Sequence, residues 1–201
     1  MATNYDRAVY FMPYHVITPS CVTEQLSTSR IIVRLAEDNY ERGRAEDTAS
    51  LAHIAQRALI EAAETPFIDD ENPDTITLDT LVTNTTHRTA IIAALISTRV
   101  RDMIIVTALE HPDTAGGVLR AIARQYARDT TVSANALALW ALIGANEHEY
   151  DWAKAAASEA LTRNRDHNLS RLIYYNEIEQ APMLALDGCN KTWEMINTQL
   201  R

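Results

Sequence analysis

The pair Arg101 and Asp102 is the strongest candidate for chemistry in the 201-residue sequence. Both residues lie in the largely apolar stretch "TRVRDMIIVTAL", so we expect one or both side chains to be buried. A buried charge must be paired and hydrogen-bonded, and groups with perturbed pKa values are often found in active sites. The pair therefore predicts either an enzyme pocket near Arg101, Asp102 and His87 or an ion pair that fixes the join of two helices. We favour the structural interpretation.

The other nucleophilic and metal-binding residue types do not form a recognisable motif. His148, Glu149 and Asp151 are the densest cluster, but they fall on a predicted turn and lack the His pair of a helical zinc site. The acidic run at 69–74 lacks the Gly and the closing Glu of a calcium loop. Cys21 and Cys189 have no neighbouring base, and phosphate-binding loops are absent from the sequence. We therefore nominate no catalytic, cofactor-binding or metal-binding residue, and we favour a protein that is not an enzyme.

The charge and composition exclude several classes of protein. The net charge of −9, from 27 acidic and 18 basic residues, disfavours direct binding to a nucleic-acid backbone. An acidic decoy for a nucleic-acid-binding protein would need this charge on one face, and the charge density is too modest to prefer that. Two cysteines are too few for a disulfide framework, and no apolar run reaches the ~20 residues that cross a bilayer. We expect a cytoplasmic protein that does not bind membranes.

The elements that must position these residues are predicted to be helices. Few glycines and prolines and an apolar content of 47% favour an all-α, compact multi-helix bundle. The aromatic N-terminal stretch predicts a short extended segment, followed by a helix near Ser20 in which "RIIVRL" could equally be a strand. Asp47 or Thr48 is expected to cap the next helix. We place the only plausible boundary at the acidic "PFIDDENPDT", between an N-terminal part, 1–70, and a helical domain, 71–201, which together form one compact unit.

A predicted helical hairpin follows in "ALALWALIGANEHEYDWAKAAASEAL". Asp113 is expected to cap the helix before it, and a helix from Asn168 toward Pro182 is expected after it. The hairpin resembles a tetratricopeptide (TPR) unit, with Trp140 in the first helix and Tyr150 at the start of the second. No second copy follows at a period of ~34 residues, so we expect one TPR-like hairpin within a globular bundle.

The order of these parts resembles an uncharacterised family of actinobacteria and their phages, known only as a domain of unknown function. The resemblance covers roughly residues 77–178 and rests on a Val-Arg-Asp motif, here at 100–102, then the Ala-rich hairpin, then Asp166, Ser170, Arg171 and Leu172. The longer N-terminal part of that family has no good match in the first 70 residues. The resemblance implies a phage-encoded protein acting in the host cytosol, and it implies no activity.

These observations together predict an interaction protein, binding a host or phage protein or a second copy of itself. Large aromatic residues near the chain ends are the predicted contact residues, because partly exposed aromatics tend to anchor interfaces. They are Tyr5, Tyr10, Phe11, Met12, Tyr14 and Trp193. The alternative is that the same side chains pack onto the core, and the sequence does not separate the two.

Overall fold

The protein is an all-α bundle in the part of the chain that the structure describes, which is residues 24–34, 45–64 and 76–200 of a computed structural model. This confirms the predicted fold class. The predicted extended segment, the contact residues from Tyr5 to Tyr14, Cys21 and the acidic connection at 66–75 lie outside the described residues. None of the described helices is long and apolar enough to cross a bilayer.

The helices follow one another with short connections. In chain order they are α1 (24–34), α2 (Glu46–Ile60), α3 (Leu78–Leu81), α4 (Thr85–Ile96), α5 (Thr98–Met103), α6 (Ile105–Glu110), α7 (Pro112–Gln125), α8 (Thr130–Asn146), α9 (Tyr150–Arg163), α10 (Asn168–Tyr175) and α11 (Ala181–Gln199). A 3-10 turn, Ile178–Gln180, precedes α11. The stretch "RIIV" is therefore helical.

Helix α8 forms the centre of the bundle. All its residues from Val132 to Ala145 are buried, because it is apolar on every side and the helices α4, α7, α9 and α10 pack around it. It forms the predicted hairpin with α9 across a short turn at 147–149. The turn places His148 in the left-handed region, at φ 62°.

Two tryptophans, one on each helix of the hairpin, pack against each other. The Trp140 and Trp152 rings are buried and pack edge to face, with centroids 4.0 Å apart at 88°. Trp152 lies directly against Gly144: a Cβ at residue 144 would lie 1.9 Å from the ring. Glycine is thus required here by close approach, since any side chain would overlap the indole. Tyr150 is half-buried at the start of α9, where its hydroxyl lies 2.7 Å from His148 Nδ1.

Several predicted helix ends are wrong. Helix α2 starts after Ala45 without a side-chain cap, so neither Asp47 nor Thr48 caps it. Helix α7 starts at Pro112, ahead of Asp113, because the fixed φ of proline suits the first helical position. Helix α10 ends at Tyr175 rather than continuing toward Pro182, and Pro182 lies in the first turn of α11.

The C-terminal helix is attached through the end of α5. The Met103 carbonyl has no helical partner there and accepts from Trp193 Nε1 of α11 at 3.1 Å and from Gln56 Nε2 of α2 at 3.0 Å. The Trp193 ring also packs against His53 in a tilted arrangement, with centroids 5.0 Å apart and an interplanar angle of 32°. One carbonyl of α5 thus joins α2 and α11.

Gly188→Ala should stabilise the protein by about 0.5–1 kcal/mol. Gly188 is exposed in the middle of α11, and a Cβ there would meet nothing within 4 Å. Alanine therefore restricts the unfolded chain and favours the helix without a steric cost. Chemical denaturation should show a higher midpoint with an unchanged slope. An unchanged or lower midpoint would contradict the exposed placement of this residue.

Candidate functional site

A buried polar cluster joins helices α4, α5, α8 and α10. It consists of the side chains of Arg101, Asn135, His167 and Ser170, all of them buried. Arg101 donates from Nη1 to Asn135 Oδ1 at 2.7 Å and from Nε to Asp102 Oδ1 at 2.9 Å. Asn135 Nδ2 donates to the Leu95 carbonyl at 2.8 Å, near the C-terminal end of α4. We call this group the Arg101 cluster.

The hydrogen bonds within the cluster assign the tautomer of His167. Its Nε2 lies 2.7 Å from Asn135 Oδ1, which is only an acceptor, so Nε2 carries the hydrogen. Its Nδ1 therefore accepts, from Ser170 N at 3.2 Å and from Ser170 Oγ at 2.8 Å. Because both Arg101 Nη1 and His167 Nε2 carry hydrogens, their separation of 3.4 Å is a contact and not a hydrogen bond.

His167 is held in its neutral form. Burial and, to a smaller extent, the positive charge of Arg101 together lower the pKa of His167 from 6.5 to about 4. The imidazole is also the N-terminal cap of α10, through the bond from Ser170 N. A proton on Nδ1 would remove this acceptor and would place a positive charge at a helix N-terminus, where the helix dipole disfavours it.

In this cluster a serine is hydrogen-bonded to a histidine, which is hydrogen-bonded to an amide. Enzymes that use nucleophilic catalysis arrange a nucleophile, a general base and an orienting group in the same way. Here, however, Ser170 is 0% exposed. A nucleophilic hydroxyl needs space for a substrate carbonyl about 3 Å away and donors for the oxyanion. A side chain without any exposed surface offers neither, so the Arg101 cluster connects helices and does not present a reactive hydroxyl.

The predicted pair Arg101 and Asp102 is therefore part of a larger network. Arg101 is 5% exposed, and the Asp102 side chain, 28% exposed, is its ion-pair partner. His87 lies elsewhere, with Nδ1 3.7 Å from Glu61 Oε2. The structure thus brings Arg101 together with Asn135, and not with His87. Asn135 could have been found from the sequence, because a polar residue within an otherwise apolar helix needs buried partners.

Cys189 also fails to supply a nucleophile. Its side chain is fully buried on α11, and this burial raises the pKa of the thiol, as does the nearby Asp102 carboxylate. The protonated thiol is the unreactive form. The described residues likewise contain no group of three or more histidine, cysteine, aspartate or glutamate side chains that could hold a metal ion.

Trp193 is half-buried, and its indole N–H is used within the fold, as described above. This placement agrees with the alternative that the C-terminal aromatic packs onto the core. Its role as a contact residue stays a prediction.

A different apolar surface is exposed around the end of α10 and the start of α11. Tyr175 is 70% exposed and Met183 is 63% exposed, and Tyr174 and Leu184 are also exposed. The two tyrosine rings pack edge to face with centroids 5.0 Å apart. An open groove of about 370 Å³ continues along α10, lined by Asn168, Arg171, Leu172, Tyr175 and Asn176. We call the four exposed side chains and the residues that line the groove, taken together, the α10–α11 surface.

This surface was missed by the sequence reading, which assigned the contact residues to the chain ends. Helix α10 has a strong apolar face, and its buried side is formed by Leu169, Ser170 and Ile173. The sequence "LIYYN" gives no sign that the two tyrosines after Ile173 point outward. Comparisons with protein-family models, with curated proteins and with solved structures find no match to this chain, so the resemblance to the actinobacterial family stays a prediction.

Proposed function

We propose that this protein is a helical interaction protein, not an enzyme, and that its α10–α11 surface binds a partner protein or a second copy of the chain. The observation that carries the proposal is the exposure of Tyr175 beside an open groove. Tyrosine is enriched among residues that dominate binding energy, and large exposed apolar side chains clustered on one part of a surface mark interaction sites.

The groove also offers polar groups that suit a protein partner. Asn168 can donate to and accept from a peptide backbone, and Asn176 offers its amide oxygen while its Nδ2 donates to the Leu172 carbonyl at 3.2 Å. Arg171 is half-exposed, with Nη1 4.0 Å from Asp166 Oδ1. The tyrosine rings provide apolar contact area, and the amides beside them can orient a bound partner through hydrogen bonds. The surface therefore fits a polypeptide better than a small apolar ligand.

The biological setting of the proposal follows from the family resemblance. A phage-encoded member would act in the cytosol of an actinobacterial host, on a host or phage protein. The burial of Ser170, and not the lack of a known motif, is the reason that we prefer binding to catalysis.

Photo-crosslinking tests the proposal. Met183 is replaced by p-benzoylphenylalanine, and the matched control carries the same residue in place of Lys154, which is exposed on α9. Irradiation in an actinobacterial host should give one adduct of defined mass from position 183 and none from position 154. An adduct with the mass of two chains would identify self-association. No adduct at position 183, together with a monomer in light scattering, would contradict the proposal.

A further inference from the structure

Helix α10 has the features of a segment that can open without the rest of the bundle. It is eight residues long and buries only Leu169, Ser170 and Ile173, whereas α8 buries fourteen consecutive residues. It lies between a connection at 164–167 and extended backbone at Asn176. Short helices with few buried residues belong to the low-stability end of native-state opening. The bonds of His167 are what fix the start of this helix.

The charged and titratable groups around His167 leave little to compensate a proton there. From α5 it faces Arg101, whose charge is paired with Asp102, and from α8 it faces the uncharged Asn135. Among the elements packed against α10, the α9 last-turn Arg163 is paired with Glu159 and bonded to the Ala123 carbonyl, and the thiol of Cys189 on α11 is neutral. The other charged side chains of α9, the 3-10 turn and α11 are exposed to solvent; they are Asp151, Lys154, Glu179, Asp187, Lys191 and Glu194. Asp166, next to His167 in the chain, is exposed to solvent.

We propose that α10 is a latch that acid releases: protonation of His167 frees its cap and lets α10 open while the core around α8 stays folded. The proton takes the Nδ1 lone pair that accepts from Ser170 N. The new charge also lies beside Arg101. Both effects disappear when α10 opens and the imidazole reaches water, so the open form binds the proton more tightly than the closed form.

The direction and size of the effect follow from these proton affinities. The pKa of His167 is about 4 in the closed form and returns toward 6.5 when the side chain is solvated. The free energy of opening α10 therefore has its full value above pH 6.5, and it decreases as the pH falls from 6.5 toward 4. Between pH 7 and pH 5 the opening equilibrium should rise about 20-fold.

The latch would regulate the α10–α11 surface, and that meaning rests on the proposed function. Helix α10 carries Arg171, Leu172 and Tyr175 of the groove, so its opening would dismantle the binding surface. The opening itself is independent of any partner. It can be measured on the purified chain, which separates a failure of the latch from a failure of the interaction proposal.

Hydrogen exchange on the full chain tests the latch. Amide protection of α10 and α8 is compared at pH 7 and pH 5, after correction for the intrinsic exchange rates. Protection of α10 should fall about 20-fold at pH 5, and at both pH values it should stay well below the protection of α8, because α8 exchanges only when the whole bundle unfolds. Protection of α10 as high as that of α8, or no loss of α10 protection at pH 5, would overturn the proposal.

Two variants isolate the histidine. His167→Asn keeps a side-chain oxygen that can cap Ser170 N but removes the titration, so α10 protection should be the same at both pH values within about 2-fold. His148→Asn is the matched control: His148 is exposed, and its left-handed backbone suits asparagine. This control should keep the full response to acid. An acid response that survives in His167→Asn would also overturn the latch.

Discussion

Asn135→Ala should destabilise the protein by about 3–4 kcal/mol, because it removes one hydrogen bond from each of three buried groups. Those groups are the Arg101 guanidinium at 2.7 Å, the Nε2 hydrogen of His167 at 2.7 Å and the Leu95 carbonyl at 2.8 Å. Each loses a hydrogen bond in a place from which water is largely excluded, and one of them is charged. Denaturant titration of the purified variant measures the loss.

A matched substitution on the same helix provides the control. Asn146 lies at the exposed end of α8 and bonds only to the neighbouring Glu147 at 3.3 Å among the contacts that the structure shows. Asn146→Ala should change stability by no more than about 0.5 kcal/mol. If Asn135→Ala costs as little as the control, the Arg101 cluster does not hold the helices together.

Gly144→Ala should destabilise the protein by about 3 kcal/mol and lower the Tm by about 10 °C. The new methyl group would lie 1.9 Å from the Trp152 ring, which is buried and packed against Trp140 at a centroid distance of 4.0 Å. The ring cannot move away without displacing Trp140. The same substitution at Gly188 meets open space and should stabilise the chain. Gly188→Ala therefore measures the general effect of replacing a helical glycine with alanine, apart from any steric overlap.

A double-mutant cycle tests that the cost arises at this contact. Trp152→Leu alone should cost about 2–4 kcal/mol through the cavity it leaves. Once the indole is gone, Gly144→Ala should add little further cost, so the double variant should be more stable than the sum of the single losses predicts, by about 2 kcal/mol. Strict additivity would show that Gly144 and Trp152 do not share the space that the structure gives them.

Much of the fold could be predicted from hydrophobic periodicity. The apolar stretch from Val132 to Ala145 and the alanine stripe of α9 indicate a buried hairpin, and the structure has it. Helix starts were harder to predict, although Asp47 and Asp113 are suitable capping residues. The residue before Asp47 is already helical, and the residue before Asp113 is a proline that forms the first position of its helix. Capping preferences identify which residues can cap, and the packing of the helix decides which one does.

The site was predictable only in part, for a physical reason. The burial of Arg101 follows from its apolar neighbours, but its partner Asn135 is 34 residues away and His167 is 66 residues away. Periodicity gives the face of a helix, and it does not give the register at which two helices meet. The outward direction of Tyr175 depends on α10 ending at Asn176. Neither a glycine nor a proline marks this helix end in the sequence.

The central claim is that function lies on the exposed α10–α11 surface and not in the buried serine and histidine. The most direct measurement is the yield of the photo-crosslinked adduct at position 183 in two backgrounds, Ser170→Ala and Tyr175→Ser, each first shown to be folded. Ser170→Ala keeps the backbone N–H that bonds to His167, and Tyr175→Ser removes the most exposed ring of the surface. We predict a yield within about 2-fold of wild type for Ser170→Ala and a loss of about 10-fold or more for Tyr175→Ser, as expected when an interface anchor is truncated. A yield that falls in Ser170→Ala and persists in Tyr175→Ser would contradict the account.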